Sequence, residues 1–130
     1  MTDGDLNLLT EKIIGAAYQV ANTLGVGFLE KVYENALAHE LQLNGISVEQ
    51  QVPIPVSYKG AIVGDYVADL LVEGCVLVEI KATNDHSEVF TAQCLNYLRA
   101  TGRPVCLLIN FGNSRVDVRR FRPPSPNSHQ

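Results

Sequence analysis

The stretch from residue 66 to residue 82 constrains this chain more than any other. It reads Tyr66-Val67-Ala68-Asp69-Leu70-Leu71-Val72-Glu73-Gly74-Cys75-Val76-Leu77-Val78-Glu79-Ile80-Lys81-Ala82. Two apolar, β-branched runs flank the turn signal Glu73-Gly74, the pattern of a β-hairpin. Asp69, Glu79 and Lys81 lie inside those runs, where a charge is costly unless it is paired or bound to a metal. Glu79 and Lys81 are two apart and share a strand face. Loop length decides whether Asp69 joins them. A two-residue loop, Glu73-Gly74, places Asp69 opposite Val78 and on the wrong face. A three-residue loop, Val72-Glu73-Gly74 with Gly74 left-handed, brings Asp69, Glu79 and Lys81 to one face, and is the working expectation.

Such a face has a chemical meaning. A carboxylate pair suits Mg²⁺, which keeps several waters and accepts a substrate phosphate; Mn²⁺ is the alternative ion. The metal lowers the pKa of a bound water and offsets charge on a phosphodiester in the transition state. A neighbouring ammonium orients that water or stabilises developing negative charge. The competing reading is a surface Glu79–Lys81 ion pair with an unrelated Asp69. Glu-x-Lys by itself matches often by accident, so the functional reading gains its weight from Asp69 at hairpin spacing.

At 130 residues the chain suits one domain with one core. No apolar run is long enough to span a bilayer. The N-terminus lacks a basic region followed by an apolar run, so no signal peptide is expected. Cys75, Cys94 and Cys106 show no metal-ligand spacing. They read as buried free thiols of a protein in a reducing, cytoplasmic compartment. The net charge of −4 argues against unspecific nucleic-acid binding over the whole surface. Arg115, Arg119, Arg120 and Arg122 cluster near the C-terminus, either as a phosphate-facing patch or as an exposed polar strand face.

In chain order, helical spacing of Ile13, Ala17, Val20 and Leu24 predicts a helix over about Leu6 to Leu24. Asp5, Asn7 or Thr10 is its expected cap, and Gly25 and Gly27 end it. A second helix is expected from about Leu29 to Asn44, with Glu30 in its first turn, where the helix dipole favours a carboxylate. From Ser47 to Tyr58 the pattern alternates strictly. Val48, Gln50, Val52, Ile54, Val56 and Tyr58 share one face, while Pro53 and Pro55 point to an edge strand. Gly64-Asp65 suggests a bulge before the central hairpin. Thr83–His86 is polar, and Ser87 is the expected cap of a helix from Glu88 to Thr101. Val105–Phe111 reads as a strand covered on both faces, and Val116–Phe121 as a last strand. The order ααβββαββ implies an α/β (α+β) fold, a central mixed sheet flanked by helices. Cys75–Ala82, the following helix and Val105–Phe111 can form a parallel crossover. The domain is expected to span residues 1–122, with a loose tail over 123–130.

These residues carry a family resemblance. Gly27-Phe28-Leu29-Glu30-Lys31-Val32-Tyr33 fits the signature GxxExxY. With Gln51-Val52-Pro53, Ala68-Asp69-Leu70-Leu71, Val78-Glu79-Ile80-Lys81-Ala82, Gln93-Cys94-Leu95-Asn96-Tyr97-Leu98 and Leu108-Ile109-Asn110-Phe111-Gly112, the likeness runs from about Leu9 to Phe121. The chain resembles the GxxExxY proteins, a small branch of the PD-(D/E)XK nuclease-like superfamily. The resemblance implies a restriction-endonuclease-like core. It implies Asp69 and Glu79 as metal-binding acids, Lys81 as the catalytic lysine, Glu30 as the early-helix acid that completes the site, and the Ile80 carbonyl as a further ligand. Gln93 and Tyr97 resemble a Gln-x-x-x-Tyr motif in an exonuclease branch of the superfamily, and four-residue spacing puts them on one helix face. They are substrate-contact candidates, the competing reading being that Tyr97 packs in the core. Tyr33, on the face of Glu30, is a further substrate-contact candidate, although a tyrosine so placed is more often a core aromatic. Asn22 departs from the pattern, standing where the family is associated with histidine.

The leading expectation is a Mg²⁺-dependent nuclease that cleaves phosphodiester bonds, first of all in DNA. It would work as a homodimer or with a larger protein partner, because so small a domain offers a short groove. The alternative is a non-catalytic nucleic-acid- or partner-binding module on a nuclease-like fold. A glycosidase using Asp69 and Glu79 fits worse, since Lys81 would perturb the acid and no aromatic-rich sugar platform is evident.

Overall fold

Residues 1–85 and 87–124 are described by the computed structural model. The elements run α1 (Asp3–Leu24), α2 (Glu30–Leu43), β1 (Val48–Tyr58), β2 (Ala61–Val72), β3 (Val76–Lys81), α3 (Glu88–Thr101), β4 (Val105–Asn110) and β5 (Asp117–Phe121), the order expected. His86 and the outer part of the expected tail, residues 125–130, lie outside the described residues.

Helix α1 starts three residues before Leu6, and its cap is none of the candidates named above. The Thr2 hydroxyl accepts from the Asp5 N–H, and the Asp5 carboxylate accepts from the Thr2 N–H. This capping box satisfies two donors at once, and it lets Leu6 and Leu9 join Ile13 in the core. Thr10, the other hydroxyl candidate, instead donates to the Asn7 carbonyl inside the helix. Helix α3 is capped by Ser87, whose hydroxyl accepts from the Val89 N–H, and is closed by left-handed Gly102, both as expected.

The strands form one sheet in the order β1-β2-β3-β4-β5. Strands β3 and β4 are parallel and the other neighbours antiparallel. Helices α1 and α2 cover one face, packing on Val76, Val78, Ile80, Val105, Leu107 and Ile109. Helix α3 covers the other, packing on Leu77, Cys106 and Leu108. Both central strands are therefore buried on two sides, which accounts for their continuous apolar runs. Strand β1 lies at an edge, where Pro53 and Pro55 leave no interior ladder bond unmade. All three cysteines are free thiols, Cys94 and Cys106 buried and Cys75 half-buried. Among the described residues no helix is long and apolar enough to cross a membrane.

The strict alternation expected of β1 is broken. Val48 packs with α1 and α2, whereas Val52 and Ile54 pack with α3. Gln51, left-handed at φ 55°, turns the strand over between them. Strand β2 switches at the same level: Ala68 faces α3 and Leu70 faces the opposite helices. Asp69 sits at this switch. A second irregularity falls where Val56 pairs with Gly64 but Ser57 pairs with Ile62. The extra residue is thus Val63, one position before the expected Gly64-Asp65.

The central hairpin has a three-residue loop, but its residues are Glu73-Gly74-Cys75, one later than expected, because Val72 pairs with Val76. Parity is unchanged, and continuing that register sets Asp69 opposite Glu79. Glu73 and Gly74 are both left-handed. The Glu73 carboxylate accepts from the Ser47 N–H (2.8 Å) and its own N–H donates to the Ser47 carbonyl (2.9 Å), tying the loop to the start of β1.

Tyr33 is fully buried and does not reach a substrate face, which corrects the expectation that it contacts substrate. Its ring stacks on Phe111 with centroids 4.6 Å apart. Its hydroxyl donates to the Gly25 carbonyl (2.6 Å) and accepts from the Phe28 N–H (3.3 Å). Tyr33 therefore pins the α1–α2 loop, and with it the start of α2, to the end of β4. Removing the hydroxyl deletes its bonds to the Gly25 carbonyl and the Phe28 N–H, so Tyr33→Phe is expected to cost about 1 kcal/mol of stability, read as a lower urea midpoint at unchanged slope.

Candidate active site

Strands β2 and β3 part beyond the Leu70–Val78 pair, and side chains take over from the ladder. The Asp69 N–H donates to Glu79 Oε1 (3.1 Å), and the Ile80 N–H donates to Asp69 Oδ2 (2.8 Å). Each carboxylate is thus gripped through one oxygen by the backbone of the other strand. The second Glu79 oxygen lies 4.0 Å from Lys81 Nζ. That ammonium also sits 4.7 Å from the centre of the Phe90 ring, a cation–π contact from α3. Asp69, Glu79 and Lys81 share the α3 face of the sheet.

Glu30 opens α2, and its carboxylate accepts from the Ala82 N–H at 3.3 Å, just past the end of β3. The end of β3 is held from a further side. Phe111 N–H donates to the Lys81 carbonyl (2.8 Å). The buried Asn110 amide accepts from Thr83 N–H (3.1 Å) and donates to Thr83 C=O (2.8 Å). A Cβ on Gly112 would lie 2.2 Å from the Thr83 nitrogen, so only glycine fits there. Asn110 and Gly112 thereby fix the chain immediately after Lys81.

Burial dominates the electrostatics. Glu79 is 3 % exposed. Burial, then the neighbouring Asp69 charge, pushes its carboxyl up to about 8, against the pull of the Asp69 N–H and Lys81. Burial likewise raises Asp69, opposed by the Ile80 N–H, and the charge of Glu34 adds to the rise. Tyr97 is raised by burial and by the Glu79 charge. A pair of hard oxygen donors with incompletely balanced charge is the donor set that suits a divalent cation. Among the described residues, no group of three or more His, Cys, Asp or Glu side chains is gathered to hold an ion. Glu30 thus stands beside the Asp69–Glu79 pair without closing a three-acid cage.

On α3, Gln93 Nε2 donates to the Tyr97 hydroxyl (2.9 Å), which donates to the Val67 carbonyl (3.1 Å). Both side chains line a cavity of about 330 Å³ together with Lys81. The C-terminal arginines do not form one patch. Strand alternation sends Arg119, paired across to Leu108, to the α3 face and Arg120, paired to Leu107, to the other. Arg119 also lies 3.7 Å from Asp117. Asn22 is exposed in the last turn of α1.

Three residues beside the site carried no expected role. Glu34, buried on α2, accepts from Lys31 (3.0 Å), Gln50 (2.8 Å) and Gln51 (2.8 Å). Gln51 also reaches Asp69 Oδ1 at 3.4 Å, so it bridges two acids that repel. Asn110 is the third. Glu34 follows Glu30 by four residues and shares its helix face; no local signal marks Gln51 as left-handed.

The sequence profile of the PD-(D/E)XK nuclease superfamily matches residues 7–121. The chain belongs to this superfamily. No curated protein matches it. Among solved structures, the PD-(D/E)XK chain is similar to SSO0001, at 16 % identity and TM-score 0.57, over 77 % of its own length and 53 % of the other. It therefore spans about half of that protein. It is also similar to the alkaline exonuclease LHK-Exo from Laribacter hongkongensis, at 17 % identity and TM-score 0.53, over 95 % of its own length and 73 % of the other. At these identities the two likenesses speak for a shared PD-(D/E)XK fold, the mixed sheet flanked by helices described above.

A carboxyl raised on folding favours the protonated native state. Its contribution is complete below the ordinary value of 4.5 and is lost as pH rises through about 8. The metal-free protein is therefore expected to lose melting temperature across that interval relative to Glu79→Gln, which keeps the shape and removes the charge. The gap between the two proteins should widen with pH, by about 4 °C for each kcal/mol relieved. Parallel melting curves from pH 5 to pH 9 would reject a buried, unmetallated Glu79 carboxylate.

Proposed function

We propose that the protein is a Mg²⁺-dependent nuclease, of the GxxExxY branch, that hydrolyses phosphodiester bonds in nucleic acid, with DNA as the first substrate to test. The observation that carries this reading is the pair of buried carboxylates, each gripped through one oxygen, with the Lys81 ammonium beside them. Membership of a nuclease superfamily supports it. Asp69 and Glu79 would hold the ion, with Glu30 and the Ile80 carbonyl completing the site; Mn²⁺ is expected to substitute. When bound, the ion supplies an acidified water and balances charge on the phosphate.

The chain's own residues do the rest. Lys81 orients the attacking water or meets the charge that develops on the phosphate oxygens. Phe90 and the Phe111-to-Lys81 backbone bond restrict where the ammonium can sit. Gln93 turns its amide toward the same cavity as Lys81 and, with Tyr97 behind it, positions the nucleic acid. So small a domain offers only a short groove, which supports a homodimer or a larger partner as the source of most substrate affinity.

Melting with and without Mg²⁺, beside a cleavage assay, tests this reading. An ion that binds only the native state stabilises it by about 2.7 kcal/mol at a hundredfold excess over its dissociation constant. Wild type is expected to show that shift and to cleave. Asp69→Asn removes a ligand and a repulsive charge: it should melt no lower than wild type without metal, gain little from Mg²⁺ and lose cleavage. Lys81→Ala should keep the Mg²⁺ shift and lose most cleavage. A wild-type protein with neither shift nor cleavage leaves the binding module as the reading.

A further inference from the structure

The α3 face holds a second cavity that continues the first. It has a volume of about 450 Å³ and lies between the outer part of the β1–β2 hairpin and the C-terminal half of α3, reaching Arg99. The two cavities share Tyr66 and Asn96. Together they make a path from Lys81, past Gln93 and Tyr97, over Tyr66, to Arg99.

Three features of this path point to one class of ligand. Its charged lining residues among those described are Lys81 and Arg99, both cationic, with Glu79 beside Lys81 at the active-site end. The chain as a whole carries a net charge of −4, so a groove whose charged lining residues are a cation near each end stands out from its surface. Tyr66 is 48 % exposed on a buried footing. Its ring centre lies 6.1 Å from that of Tyr97, which the Val67 carbonyl and Gln93 hold in place. Asn96 Oδ1 accepts from Arg99 Nη1 at 3.2 Å, orienting the guanidinium beside the shared wall. A stacking platform between two cations matches a strand of phosphates with its bases exposed. A duplex keeps its bases stacked inside and offers none to Tyr66.

Resting on the nuclease reading above, we propose that this groove binds single-stranded nucleic acid, with a base stacked on Tyr66 and a phosphate on Arg99, leading the strand to Lys81. Each cavity is large enough for a nucleotide-sized ligand. Tyr66 is a binding residue here, and Arg99 a phosphate contact. The substrate of the site is then a single-stranded end or a frayed segment.

Fluorescence anisotropy in EDTA separates binding from turnover. The probes are a short labelled oligothymidylate, the matching oligouridylate, and the duplex of oligothymidylate with oligoadenylate. Single strands should bind more tightly than the duplex. Tyr66→Ala should weaken them about tenfold, within the range of one lost stack, and Tyr66→Phe should bind like wild type. Arg99→Ala, an exposed change that does not depend on Tyr66→Ala folding, should lower the salt slope for the single strand by about 0.7. Preference for one of the two single strands tells DNA from RNA and supports the groove either way. Equal or tighter binding of the duplex, or unchanged binding by both Tyr66→Ala and Arg99→Ala, overturns the proposal even if wild type cleaves. A wild type that shows the expected binding and never cleaves with Mg²⁺ supports the groove and overturns the nuclease reading.

Discussion

The reciprocal bonds between Asp69 and the β3 backbone, and between Glu79 and the β2 backbone, set the conditions for everything around them. An antiparallel pair ordinarily satisfies its amides with carbonyls across the ladder. Beyond Leu70 and Val78 the strands diverge, and the Asp69 and Ile80 N–H groups would be left without partners at partial burial. Carboxylate oxygens fill that role. The same bonds that keep the diverging strands satisfied also hold two acids side by side, each through one oxygen. Structure and chemistry thus depend on one geometric event, the parting of two strands at a defined register.

That event needs support from outside the hairpin. Asp69 sits where β2 turns over, and β1 turns over beside it at Gln51 in a left-handed conformation. A non-glycine residue there carries strain. The Gln51 side chain offsets part of it by donating to both Glu34 and Asp69. Two acids on different elements would otherwise face each other at close range. From the other end, Asn110, Phe111 and Gly112 grip the chain between Lys81 and Thr83. Tyr33 stacks on Phe111, so the start of α2, where Glu30 sits, is tied to the same strand end. The site is therefore surrounded by fixed backbone, with the second Glu79 oxygen beside the Lys81 ammonium and the second Asp69 oxygen within reach of Gln51.

Much of this arrangement was legible in the residues alone, and for local reasons. Period-two and period-3.6 patterns report on one element at a time, and they located every helix and strand. The parity of a three-residue loop placed Asp69 with Glu79 and Lys81 although the loop itself lies one residue further on. The error was harmless because a shift that leaves loop length unchanged leaves the strand faces unchanged. The cap of α1 was missed for an equally local reason. Asp5 was read as a cap when it is the returning half of a box begun by Thr2.

Identity of the acids, their shared face and the order of elements were determined by the sequence itself, because alternation and turn chemistry act between near neighbours. Tertiary structure alone decided how far each carboxylate is buried, since that depends on α3 closing over the sheet. It also decided that Glu30 stops at the Ala82 N–H, that Glu34 and Gln51 brace Asp69, and that Tyr33 lies in the core. Each of these contacts joins residues far apart in the chain, and no periodicity encodes such a distance. The division of the C-terminal arginines between two faces belongs with them, because it follows from the pairing of β5 with β4 rather than from how closely the arginines are spaced.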